Sequence, residues 1–310
     1  MLMQDRAKWK GRPLQPWFPC IAQVTSSFLA SIQHESDLVI VWDACSPDNC
    51  TTDAFIITFD SHVQAWRERN RHVRENHPLN AKVVEYKSLG DGVRWRALPD
   101  TLTASDGLQG LLLALNIPDG LVLPDSELGG MVDHLKSIEV LKYDWKAKEF
   151  RKMYRVTSTV AWLIAQCARE GQHVRFLSDE DNIWNNNVQQ EDVERMLSIL
   201  CDQACLHGPG KTTWSTYCSH GRYSMLAEDL VAIADRAAGV VGFVAGETRK
   251  LGPSVIQFPH GKRGQECARE ERLSRWFWAS DSVALYRIAL VVEGDDIESA
   301  NAKLLACAFN

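Results

Sequence analysis

Acidic side chains in apolar surroundings are the candidates for chemistry in this chain. Asp43 closes the run DLVIVWD. Asp179, Glu180 and Asp181 close the run HVRFLSDED. Asp235 stands inside an apolar stretch, between Ala-Ile-Ala and Arg-Ala-Ala-Gly. A carboxylate among such neighbours is costly to bury unless it is paired, hydrogen-bonded or metal-bound. Carboxylates that converge repel one another, and a hard divalent cation such as Mg²⁺ relieves that repulsion. Two such ions hold the attacking and leaving oxygens of a phosphodiester. The structural alternative stands beside this one: Asp43 ends a strand at a turn, Asp179 caps a helix, and Asp235 pairs with an arginine.

The elements that must position these acids follow from hydrophobic periodicity. Residues 37–43 and 54–59 predict two buried strands, with the polar stretch SPDNCTTD between them as a hairpin loop. Residues 61–76 predict a helix capped by Ser61 or Asp60 and stopped before Pro78. Further strands are expected at 81–89, 110–117, 173–181 and 212–218. Helices are expected at 93–106 despite Pro99, across 126–170, at 188–205 and at 224–246. Met153, Val156, Val160, Leu163, Ile164 and Cys167 mark the buried stripe of the long helical region. After a polar, basic stretch, the last segment offers one strand (LYRIALVVEG) and one helix (ESANAKLLACAF). Residues 20–33 fit a strand or a short helix. Alternation of strands and helices defines an α/β class with a partly parallel sheet. Open sheets of this kind gather functional groups at the carboxyl ends of their strands, where Asp43 and Asp179 fall. Glu228 and Asp235 share a helix face, being about 700° of rotation apart, and Asp229 points elsewhere.

Four segments, in order, resemble a bacterial family of unknown function with an RNase H-like fold. They are Val41-Trp42-Asp43, then Glu85-Tyr86-Lys87, then Ser178-Asp179-Glu180-Asp181, then Ala234-Asp235-Arg236-Ala237-Ala238-Gly239. That family opens with a strand ending in Asp-Glu-Ser-Gly and closes with a helix reading Ala-Asp-Leu-Ile-Ala-Gly. The resemblance implies an RNase H-like mixed sheet flanked by helices over 37–246. An N-terminal arm (1–36) precedes it, and a C-terminal strand–helix extension (247–310) packs on the same core. It further implies Asp43, Asp179 and Asp235 as catalytic metal ligands for Mg²⁺ or Mn²⁺, Glu85 as an additional catalytic acid and Lys87 as a phosphate contact. The implied activity is nuclease or phosphodiesterase chemistry, in a phage-defence or mobile-element setting. The opening motif departs from the family's: Ala44-Cys45-Ser46 stands where Glu-Ser-Gly would follow. That departure keeps open a catalytically degenerate binding or assembly subunit, with a protein partner or as a homodimer.

Basic patches offer a surface for a nucleic-acid partner. Residues 142–155 (KYDWKAKEFRKMYR) carry six Lys or Arg, and Lys148, Lys152 and Arg155 share one helix face. Residues 67–74 (RERNRHVR) carry four arginines. Arg, Lys and aromatic rings suit backbone contact and base stacking, although a solvated helix face reads the same way. Against a generic nucleic-acid binder stands the net charge of −6. Gly208-Pro209-Gly210-Lys211-Thr212 imitates the end of a P-loop. Cys205 occupies the position where the first glycine would stand, and the flanking order is helix then strand. Cys201, Cys205, His207, Cys218 and His220 have loosely zinc-like types but not zinc spacing. Cys45 and Cys50 lack Cys-x-x-Cys spacing.

Composition bounds the remainder. Apolar residues make up 45% and charged residues 24% of 310, which supports one large core rather than disorder. Eleven tryptophans supply a large aromatic share of it. The first twenty residues lack an apolar signal-peptide core, and no stretch approaches about 18 uninterrupted apolar residues. Nine cysteines, an odd number, suit reduced thiols. The expected setting is cytoplasmic, with no membrane partner.

Overall fold

A computed structural model describes residues 8–9, 12–13, 36–46, 49–79, 83–169, 171–179, 183, 185–204, 213–218, 225–251, 269–294 and 299–307. The segment 20–33, the P-loop-like stretch 208–212, Glu180, Asp181, Cys205, His207 and His220 lie outside them. Near the N-terminus, Lys8–Trp9 pairs with Arg12–Pro13 as a short antiparallel ribbon.

The body is a seven-stranded mixed sheet with helices on both faces. It opens with a hairpin of β1 (Leu38–Cys45) and β2 (Cys50–Phe59). Cys50–Asp53, expected in the loop, extend β2 instead and leave a short turn with Asn49 at positive φ. Helix α1 (Asp60–Asn76) follows at once. Its N-cap residue is Phe59, without a side-chain cap, so neither Ser61 nor Asp60 plays that role. Asp60 instead takes Arg175 at 2.9 Å. Helix α2 (Gly92–Asp106) is capped by Asp91, whose carboxylate accepts from the Val93 and Arg94 amides, and it carries Pro99 internally. Strand β3 is Gly110–Pro118.

The expected continuous helix across 126–170 is two helices, α3 (Asp125–Ser137) and α4 (Ala147–Cys167). The break is built by one buried carboxylate. Asp192, fully buried, accepts from the amides of Lys142 and Tyr143 and from Trp145 Nε1 at about 3 Å and pairs with Arg195, and the two backbone amides are free for it only where the chain is not helical. Then come β4 (His173–Ser178), α5 (Asn187–Ala204), β5 (Thr213–Cys218) and α6 (Met225–Leu251). Helix α6 runs past the expected boundary at 246. Helix α7 (Arg269–Ala279) was not expected, and β6 (Leu285–Glu293) was. The expected terminal helix is β7 (Asn301–Leu304), which pairs antiparallel with β6 through Leu290↔Leu304 to Glu293↔Asn301. Edge pairing outweighs local propensity there.

The sheet order is β5-β4-β1-β2-β3-β6-β7. Strand β2 is antiparallel to β1 and β3, whereas β1 with β4, β4 with β5 and β3 with β6 are parallel. Leu38, Ile40 and Trp42 face one layer, packed with α3, α4 and α5. Val39 and Val41 face the other, packed with α1, α2, α6 and α7. This alternation follows from the strand's period of two, and it places Asp43 on the α6 side. Among the described residues no helix is long and apolar enough to cross a membrane.

Candidate functional site

The carboxylates gather where β1 and β4 end beneath α6. Trp42 pairs with Ser178 in parallel register, so Asp43, inside β1, and Asp179, the first residue past β4, follow the last pair of the ladder. Asp235 projects from α6 toward them and is 7% exposed. Burial, then the negative charge of Asp235, push the Asp43 carboxyl well above the usual carboxylate range. Asp179 adds to this, while the Ala44 amide and the ammonium of Lys87 oppose it. Asp43 Oδ1 accepts from the Ala44 amide at 2.6 Å. Burial also raises Asp235, with Asp179 adding to it. The Tyr86 amide, Arg236 and Lys87 act against that rise. Two acids remote in sequence are thus within electrostatic reach of each other, with no arginine hydrogen-bonded to either among the described contacts.

The third wall is the segment 83–90, expected as a strand at 81–89. Its described part is extended chain and turn. The reason lies in who takes its backbone groups. Val83 O accepts from Arg94 Nε at 2.7 Å, Val84 O accepts from Arg236 Nη1, and the Tyr86 amide donates to Asp235 Oδ2. These partners are side chains, so no ladder is left to form. The result brings Glu85 and Lys87 into the cluster. Burial, then Asp235 and Asp179, raise the Glu85 carboxyl, while Arg94 and Lys87 lower it. Lys87 is exposed at the rim.

Arg236, next to Asp235, is fully buried, and burial pushes its guanidinium down to about 10. Its Nη2 donates to Ser105 Oγ at 3.0 Å, so it pins the 83–90 segment to both α6 and α2. On the outer side, Tyr86 OH donates to Glu270 at 3.3 Å, and the Arg269 guanidinium lies 4.1 Å from the centre of the Tyr86 ring. Arg236, Arg269 and Glu270 were not singled out by sequence. A buried arginine beside an acid was the one available signal.

The basic face of α4 is elsewhere. Lys152 Nζ lies 5.3 Å from the Trp42 ring centre, in the opposite layer, and Lys148 is exposed on the same helix. Arg155 is buried, with Nε 2.5 Å from Asp53 Oδ2 and Nη2 3.2 Å from Asp53 Oδ1. Trp42 Nε1 donates to the same carboxylate at 3.1 Å. The structure therefore does not bring Lys148, Lys152 and Arg155 to the acids: the sheet separates them. Asp229, on α6, is held by Arg74 and by Asn70 Nδ2 at 2.5 Å, away from Asp235. Cys45, Cys50 and Cys201 form no disulfide, and Cys201 is buried in α5.

Among the described residues no three His, Cys, Asp or Glu side chains lie close enough together to hold one metal ion. The oxygen donors of Asp43 and Asp235 nevertheless suit a hard cation. Mg²⁺ keeps several waters and takes as few as one or two carboxylates from a protein, so it does not require a third acid here.

The fold and this cluster define an α/β protein with a helix-flanked mixed sheet and buried, mutually repelling carboxylates at its strand ends. No protein-family model matches the chain, no curated protein is similar to it, and no solved structure matches it.

Proposed function

We propose that the protein is a divalent-metal-dependent phosphodiesterase acting on nucleic acid, with an RNase H-like arrangement of its sheet. One observation carries this reading: the charge of Asp235, far away in sequence, acts on the Asp43 carboxyl in a largely buried place where neither has an arginine hydrogen-bonded to it. Such an arrangement is expensive in an empty protein and favourable around a cation. Asp43 and Asp235 would hold Mg²⁺ or Mn²⁺, with Asp179 adding negative charge nearby rather than a third ligand. When bound, the ion supplies Lewis-acid polarisation of a phosphoryl oxygen and an acidified water. Glu85, whose proton affinity is raised, would take the proton of the attacking water at its carboxylate. Lys87 offers its ammonium to a phosphate oxygen at the open side. Tyr86, Arg236 and Arg269 orient Glu85 and Lys87 rather than react.

The test is cleavage of labelled DNA and RNA in Mg²⁺ or Mn²⁺ by wild type, Asp43→Asn and Asp235→Asn. Activity in the wild type and its loss in both variants is expected. Equal activity in all three overturns the reading.

A second reading has an observation in its favour: no third acid closes on Asp43 and Asp235 among the described residues, and Ala44-Cys45-Ser46 brings no second acid. On it the chain is a binding or assembly subunit of the same fold. Calorimetry with Mg²⁺ and Mn²⁺ separates the two, since this reading requires no uptake of either.

A further inference from the structure

Two arginines of α7 lie over aromatic rings at the rim of the carboxylate cluster. Arg269 covers Tyr86, and the Arg272 guanidinium lies 4.5 Å from the centre of the Trp95 ring. Arg269 and Arg272 are three residues apart, so they stand on one side of the helix about one turn from each other. The series starts at the acids: Tyr86 is bonded through its amide to Asp235, and the charge of Arg269 reaches Cys45, two residues beyond Asp43. It leads away from them along α7 toward Trp95, at the start of α2.

The cations of this region are not equivalent. Arg94 is engaged with Val83 O, Arg269 with Glu270, and Arg275 with Glu271 at 3.1 Å. Arg272 is different. Among the described residues it has no hydrogen bond and no carboxylate partner, and its one contact of note is the face of Trp95. The stack limits its orientations, which leaves a pre-ordered guanidinium fork without an anion. Lys87 stands exposed on the same rim.

We propose that this rim, anchored by Arg272 on Trp95, holds a single-stranded nucleic acid whose backbone runs from the carboxylate cluster along α7. Charge complementarity argues for that occupant. The chain as a whole is acidic, with a net charge of −6, yet the cluster is bordered here by cations stacked on rings. Cations with aromatic faces serve a strand's phosphates and its unpaired bases together. Arg meets phosphate with two parallel hydrogen bonds, which a solvent-facing lysine does not. The basic face of α4 cannot share this role, because it lies across the sheet. The substrate class rests on the phosphodiesterase reading; the location of the rim does not.

The experiment is fluorescence anisotropy of a labelled oligothymidylate and a labelled oligouridylate in EDTA, which blocks turnover, with a duplex of mixed sequence alongside. The proteins are wild type, Arg272→Ala, Arg272→Lys and, on the other face, Lys148→Ala, each checked by thermal melting. Arg272→Ala is expected to weaken strand binding by about tenfold or more, the cost of a lost charge-assisted hydrogen bond. It should also reduce the slope of log affinity against log salt by about one. Arg272→Lys should fall between, and Lys148→Ala should match wild type. A DNA or RNA preference names the strand chemistry. Unchanged binding by Arg272→Ala, a loss at Lys148→Ala instead, preference for the duplex, or no binding by wild type each overturns the proposal. Unchanged binding by Arg272→Ala together with metal-dependent cleavage removes the rim and leaves the enzyme. Binding that needs Arg272 in a protein that cleaves nothing leaves the rim and removes the enzyme.

Discussion

Gly239 on α6 lies directly against the ring of Tyr86, and a Cβ at that position would overlap the ring's Cγ, Cδ1 and Cδ2. Four residues earlier on the same helix, Asp235 accepts the Tyr86 amide. Ring and backbone of one residue are therefore docked on one helix face, and Glu85 and Lys87 are carried with them.

Gly239→Ala sets two effects against each other. Helix propensity favours alanine by up to about 1 kcal/mol, whereas overpacking costs about 1–3 kcal/mol. The overlap is with a ring fixed at both ends, so destabilisation should win. We expect a lower melting temperature and weaker Mn²⁺ binding by calorimetry. A higher melting temperature would show that Tyr86 moves aside freely.

The carboxyl cluster predicts an unusual response to pH. Asp43, Asp235 and Glu85 have proton affinities raised on folding, chiefly by burial. Such groups stabilise the fold while protonated in both states, and that contribution is lost as pH climbs through their raised values. Metal-free Asp43→Asn should melt like wild type near about pH 4 and higher than wild type near about pH 8. Adding Mg²⁺ should narrow the gap by stabilising wild type alone. Thermal melts across pH decide it, and a variant less stable at the upper end contradicts the picture.

Arg155, a substrate contact by sequence, is by position a structural ion. Its removal leaves Asp53 with no exposed surface and only Trp42 as a described side-chain donor. Arg155→Ala should cost about 3–5 kcal/mol in denaturant unfolding. Strand affinity per folded molecule should not change. Weakened binding with intact stability would return Arg155 to the substrate surface.

Trp66 Nε1 and Arg236 Nε are buried without a hydrogen-bond partner, and both line a small cavity between α1, α2 and α6 with Asn70, Arg74 and Asp229. One water accepts from two donors and donates onward, and the cavity holds about one. A crystal structure at high resolution should show it bridging these atoms. An empty cavity there would leave both donors a standing cost.

The strand-end acids were legible because a carboxylate closing an apolar run contradicts its surroundings. The helix that carries Asp235 was legible for the same reason. The first two strands and the helices α1, α2, α5 and α6 followed from periodicity and end signals. The segment at 83–90 was not legible. AKVVEYK alternates like a strand, and only Arg94, Arg236 and Asp235, brought from elsewhere, take its backbone groups. The break between α3 and α4 depends in the same way on Asp192. Helix α7 was hidden in polar composition, since its buried face consists of Glu270, Leu273, Ser274, Trp276 and Phe277. Which basic patch accompanies the acids was a question of sheet sides, and no local pattern encodes that.

Asp43, Glu85, Asp179 and Asp235 are supplied by four distant stretches of polypeptide, the nearest two 42 positions apart (85 − 43). During synthesis a ribosome must release most of the chain before the last of them emerges. An unfinished or proteolytically shortened product that lacks α6 carries neither Asp235 nor the docking face for Tyr86. Truncated copies thus lack the assembled cluster for topological reasons, and the four acids come together only in a molecule that has been made and folded through residue 239.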